Sequence, residues 1–183
     1  GRNFVKSVMN VFPSLKAYSD AEEDVVRSTD NLQEAERQYT LNSAKRQAEI
    51  SELRAKSAEK DKYTFEERKQ FLQQAIDLEE EELKETKGIA AEKLRIAEQE
   101  AALEIGYTEL TEEAYEKLTD EQKDKITELR KAVVDAEKEY SDGTRRLRGQ
   151  MSTFNEQEEN ERKQRAQQAQ QAQGNPVNSF FYF

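Results

Sequence analysis

TDEQKDKITELRKAVVDAEKEYSDGTRRLRGQMSTF, residues 119–154, sets Val133, Tyr140, Leu147 and Phe154 one heptad apart, with Ile126, Leu129 and Ala136 filling the alternating three- and four-residue steps upstream. A helix that lies along another helix holds such a phase, because a seven-residue repeat keeps one seam turned toward its partner. The phase survives Ser141-Asp142-Gly143, a tripeptide that elsewhere reads as a turn, since Leu147 and Phe154 stay in step with Val133 and Tyr140. The expectation is one helix, continuous through Gly143 or bent only slightly there.

Working outward, composition points the same way. Of 183 residues only 34% are hydrophobic and 37% are charged, with a mean hydropathy of -1.10, too little apolar volume for a thick core and enough for narrow stripes. Ala, Glu, Gln, Lys, Arg and Leu dominate and propagate helix well, and six Gly and two Pro leave little punctuation. The fold class expected is all-α, with long helices forming a coiled coil or an extended helical hairpin.

Helix starts are marked by capping-box spacing at Ser19 with Glu22, Thr64 with Glu67 and Thr119 with Gln122. These divide the chain into an amphipathic lead segment (1–18), a first helix (19–62), a second (63–105), a connector (106–118), a third (119–173) and an aromatic tail (174–183) expected to be unstructured. In the lead segment Phe4, Val5, Val8, Met9 and Phe12 share a face until Pro13 interrupts. That face reads either as a membrane-surface or docking helix or as the end of an apolar region.

The first helix has the weakest stripe, Leu32, Ala35, Tyr39, Ile50 and Leu53, with Asn42 and Arg46 standing where apolar residues belong. Such substitutions either loosen a seam or fix its register. In the second helix Leu72, Leu83, Leu94 and Ile105 recur every eleven residues, with Ile76, Ala90, Ala97 and Ala101 between. A period of about 3.67 residues favours nearly straight or slightly right-handed packing. The seam residues expected to pack are therefore Leu72, Ile76, Leu83, Leu94, Ile105, Ile126, Leu129, Val133, Ala136, Tyr140, Leu147 and Phe154. A short helical turn is expected over 112–118, and Gly174-Asn175-Pro176 is expected to end the Gln/Ala-rich run before Phe180, Phe181, Tyr182 and Phe183.

No catalytic residue, cofactor or metal site is expected. The chain has no His and no Cys, which removes the usual nucleophile and base pairs, and no glycine-rich segment precedes a helix. The Glu79–Glu82 run is the obvious carboxylate cluster, but consecutive helical positions point about 100° apart and do not converge on one ion. Six spaced pairs suit exposed helix faces instead: Glu52 with Lys56, Glu80 with Lys84, Glu113 with Lys117, Glu121 with Lys125, Glu158 with Arg162 and Glu159 with Lys163. A net charge of -10 disfavours nucleic acid, and the local cations Arg145, Arg146, Arg148, Arg162, Lys163 and Arg165 read as a solvated face. Membrane contact is expected only through 1–18, since no stretch approaches the eighteen or so apolar residues of a span.

The string Tyr63-Thr64-Phe65-Glu66-Glu67-Arg68, followed by Leu72, Ala75-Ile76 and Leu78-Glu79-Glu80, resembles a recurrent unit in tail-length tape-measure proteins of phages and prophages of the Bacteroidetes. Ile50-Ser51-Glu52-Leu53-Arg54, Leu94-Arg95-Ile96-Ala97-Glu98 and the glutamine-rich 156–173 look like the helical middle of such proteins, so the likeness covers about 20–170. It implies a structural role along a tail lumen, with tail-tube and chaperone proteins as partners and a place in the virion tail, or in the bacterial cytoplasm during assembly. At 1.5 Å per residue, 20–173 would span on the order of 230 Å if fully continuous. Whole tape measures are much longer, so the chain reads as a piece of one. Two other readings stand beside it: a helical hairpin folded at 106–118 that captures a partner helix, and a peripheral membrane protein. Self-association or packing with other helices is expected in either of the first two.

Overall fold

The computed structural model describes the backbone of residues 13–179 and the side chains of 15–174. The apolar face of 4–12 and the aromatic residues 180–183 lie outside the described residues. Among those described, every element is a helix: α1 Pro13–Ala58, α2 Phe65–Glu104, α3 Glu112–Glu116 and α4 Asp120–Ser179. The all-α class follows directly. Two compact units share these helices, one built from residues up to Gln47 with Glu80–Asp142, the other from Ala48–Glu79 with residues from Gly143 onward.

Several boundaries differ from the expectation. Pro13 is the first described residue of α1, and the interruption expected there of the face 4–12 lies outside the described residues. Ser19 therefore lies inside α1, and its spacing to Glu22 is a coincidence common in glutamate-rich helices. At the other end α1 stops at Ala58, four residues short of 62, as 59–64 turn through Glu59 N–H to Lys56 O (3.2 Å) and Tyr63 N–H to Glu59 O (3.2 Å). The third helix does not end at Gly174: α4 runs on to Ser179. Pro176, lacking an N–H, withdraws one ladder donor there.

The remaining caps form as the sequence spacing demands. The Glu67 carboxylate accepts from Thr64 N–H at 2.8 Å while Glu67 N–H donates to Thr64 Oγ1 at 3.3 Å. Thr119 and Gln122 repeat the arrangement at 2.9 and 3.2 Å. Thr64→Ala removes the hydroxyl that accepts from Glu67 N–H and leaves the backbone half of the cap, and urea denaturation is expected to show a loss of about 1 kcal/mol. At the end of α2, Gly106 adopts φ 86°, with Tyr107 N–H reaching Ala102 O (2.8 Å) and Gly106 N–H reaching Leu103 O (3.1 Å). This is a Schellman stop, and only glycine enters that left-handed conformation without strain.

In the first unit α1 and α2 are antiparallel: the Tyr18 hydroxyl bonds Leu103 O, Arg95 pairs with Asp24 (3.2 Å), and Tyr39 reaches Glu82 (2.9 Å). There α2 and α4 are antiparallel as well, with Gln122 on Glu104, Arg130 on Glu98 (3.0 Å) and the Lys87 ammonium over the Tyr140 ring at 4.5 Å. Residues 20–173 are thus not one end-to-end rod, and the arithmetic that made them one does not apply. Val25, Ile96 and Leu103 form one apolar cluster with Tyr18, Ala21 and Leu32. Ala101, Leu118 and Ile126 form another with Leu94, Ile105, Leu110 and Tyr115. In the second unit Ile50, Leu53 and Ala75 pack with Phe71 and Leu78, while α1 with the turn that follows it runs the same way as α4, through Arg54 to Gln150 (2.8 Å) and Lys60 to Glu161.

Candidate functional site

α4 carries a covered face in each unit. Ile126, Leu129, Val133, Ala136, Tyr140, Gly143, Leu147, Gln150 and Phe154 are each buried or half-buried, and every other residue between Asp124 and Gly149 except Thr144 is exposed. The helix is continuous through Gly143, which takes its own turn on the inward face. Leu147 is fully buried and Ile126 is 1% exposed. Phe154 stacks on Phe65 with ring centres 5.5 Å apart.

On α1 the inward positions Tyr18, Val25, Leu32, Tyr39, Arg46 and Leu53 are one heptad apart, and all are buried or half-buried. Arg46 occupies a seam position and keeps it by pairing. Its guanidinium lies 2.6 Å from Glu82 Oε2, 3.1 Å from Glu85 and 3.7 Å from Glu81, with the side chain only 7% exposed. The Tyr39 hydroxyl donates to Glu82 Oε1 at 2.9 Å and Ser43 donates to the same oxygen. A buried charge is tolerated where such bonds replace water, so α1 and α2 are joined here by a polar layer within an otherwise apolar seam.

Burial pushes the Glu82 carboxyl up, but bonds from Ser43, Tyr39 and Arg46, with the Arg46 charge, outweigh it and hold the group below its ordinary 4.5. For Arg46, burial works against the charge, and the bonds and charges of Glu82 and Glu85 more than compensate. Since the Glu82 pKa is lower folded than unfolded, its stabilisation is complete above about pH 5 and is lost as pH falls through the folded value. Urea denaturation at stepped pH is expected to show a shallower acid decline for Glu82→Gln than for the parent, the two stabilities converging as pH drops below about 5.

The second unit has a related cluster. Arg68, 6% exposed, reaches Glu158 at 3.1 Å with its guanidinium 5.5 Å from the Phe154 ring. Arg54 Nε donates to Glu79 at 2.7 Å. Three of the four carboxylates of the 79–82 run face arginines: Glu79 meets Arg54, while Glu81 and Glu82 meet Arg46. Of the six spaced pairs, Glu52 with Lys56, Glu113 with Lys117 and Glu159 with Lys163 close. Glu158 instead serves Arg68 and Arg165.

Of the expected seam residues, Leu94, Ile105 and Ile126 come together in one cluster. Leu72 and Ile76 are buried and Leu83 is half-buried. The eleven-residue stripe therefore marks covered positions but not the whole of the α2 interior. Ile96 and Leu103 face α1 while Leu94 and Ala101 face the α3 and α4 side, because α2 packs against two neighbours in this unit. Val25, Ala75, Ala102, Ala114 and Leu118 are core residues that the sequence reading passed over.

Among the described residues no helix is long and apolar enough to cross a membrane, and no group of three or more acidic side chains is placed to hold a metal ion. Comparison with protein-family models, curated proteins and solved structures gives no match.

Proposed function

We propose that this chain is a non-enzymatic structural element whose work is helix-to-helix packing, and that it forms a folded segment of a tail-length tape-measure protein. The observation that supports the structural role is the unbroken inward face of α4 from Ile126 to Phe154. Helix rise fixes length per residue, the property a molecular ruler needs. The turns at 59–64 and 105–119 restrict that conversion to one helix at a time, so the segment contributes less length than its residue count laid end to end. Its partners would be other helices, tail-tube and chaperone proteins, in the virion tail or in the bacterial cytoplasm during assembly. In-frame deletion of the segment from its phage gene is expected to shorten tails in electron micrographs, and duplication to lengthen them. Unchanged tail length in both strains overturns the ruler.

The built reversal at Gly106, with Ala114 fully buried and Leu118 6% exposed beside it, favours a second reading, a helical-hairpin scaffold that binds a partner helix. Sedimentation combined with circular dichroism separates the two. A hairpin keeps its helicity on dilution as a monomer, whereas a rod that needs partners loses helicity.

A further inference from the structure

Within the second unit the ends of α1 and α2 and the middle of α4 enclose a groove of about 560 Å³ whose lining is unlike the rest of the molecule. The chain carries 39 acidic residues, yet the groove's twelve lining residues include Arg54, Lys60, Arg68 and Arg146 and no carboxylate. The nearest acids stand outside the lining, where Glu79 holds Arg54, Glu161 holds Lys60 and Glu158 holds Arg68. They fix these cations in place and leave donors over. Arg68 Nε is buried without a hydrogen-bond partner, and Arg146 is an exposed cation on the groove's lining.

We propose that this groove is a binding site for a small multivalent oxyanion of the phosphate class, held by Arg68 and Arg146 with Arg54 and Lys60 at its rim. Three features argue for an anion. The lining presents four cations and no carboxylate, and an oxyanion complements that charge. Guanidinium groups match phosphate geometry with paired N–H bonds. Arg68 is already ordered between the Phe154 ring and Glu158, and Arg54 between Glu79 and Gln150, so little side-chain freedom remains to be lost on binding. At the wall, a Cβ built on Gly149 meets nothing within 4 Å, which leaves room for the ligand. The site is compact, unlike a strip that tracks a nucleic-acid backbone.

Isothermal titration of the full chain with pyrophosphate at fixed ionic strength tests this. One saturable site per chain is expected, weakened about tenfold or more by Arg146→Gln, as loss of a charged hydrogen bond requires. Gly149→Glu, which places a carboxylate in the groove without a clash, is expected to abolish it. Arg148→Gln, an exposed cation outside the lining, is expected to leave affinity unchanged, with circular dichroism confirming that all three variants fold. A parallel titration with ADP separates sources: equal affinity assigns free diphosphate, and tighter binding assigns a nucleoside-bearing one. No saturable heat with either ligand, or equal weakening in Arg146→Gln and Arg148→Gln, overturns the site.

Discussion

Leu147→Ala is expected to lower stability by about 3 kcal/mol, measured as a shift in the urea midpoint with unchanged slope. The side chain is fully buried, so its truncation removes transferred apolar surface and leaves a cavity that a stiff helical packing refills only in part. The control is a valine thirteen residues upstream. Val134 is apolar but lies outside the heptad phase and is 62% exposed, and Val134→Ala is expected to change stability by no more than about 0.5 kcal/mol. Hydrophobicity alone does not separate these two residues; phase does. Equal losses would mean that α4 is not oriented as described.

The second large effect belongs to Arg46. Arg46→Ala opens a hole in the seam and strands Glu82, 15% exposed, beside Glu85 and Glu81. Breaking a fully buried ion pair costs about 3–5 kcal/mol, and partial exposure of the carboxylates brings the expected loss to about 2–4 kcal/mol. The double replacement Arg46→Leu with Glu82→Leu is expected to recover most of it, because a matched apolar pair removes two desolvation costs together. Tyr39 keeps a partner in Thr86 at 3.1 Å, and Ser43 can turn to a backbone carbonyl. If the double variant is as stable as the parent but populates more than one oligomeric state, the polar layer serves register rather than stability.

How much of this could be read from the sequence depends on how many partners each helix has. α4 shows one inward face, so Val133, Tyr140, Leu147 and Phe154 announced it and carried the reading across Gly143. α2 divides its apolar residues between two neighbours in the first unit, with Ile96 and Leu103 on one side and Leu94 and Ala101 on the other. Two superposed stripes do not give one period, which is why the eleven-residue spacing recovered only part of that interior. On α1 the heptad was present all along as Tyr18, Val25, Leu32, Tyr39, Arg46 and Leu53. Arg46 concealed it, because a charge at an inward position is intelligible only once Glu82 and Glu85 face it. The groove of the second unit had no linear signature at all, since Arg54, Arg68 and Arg146 come from three helices.

The inward face of α4 is the claim on which the structural role rests, and the absence of native cysteine makes it directly measurable. Single cysteines placed in turn along 124–154 report burial through their rates of reaction with a soluble thiol reagent. Slow reaction is expected at 126, 129, 133, 136, 140, 143, 147, 150 and 154, intermediate rates at the half-covered 144 and 151, and fast reaction at the other positions, with no change of phase at Gly143. A protection pattern that shifts by a residue or vanishes beyond Gly143 would contradict it.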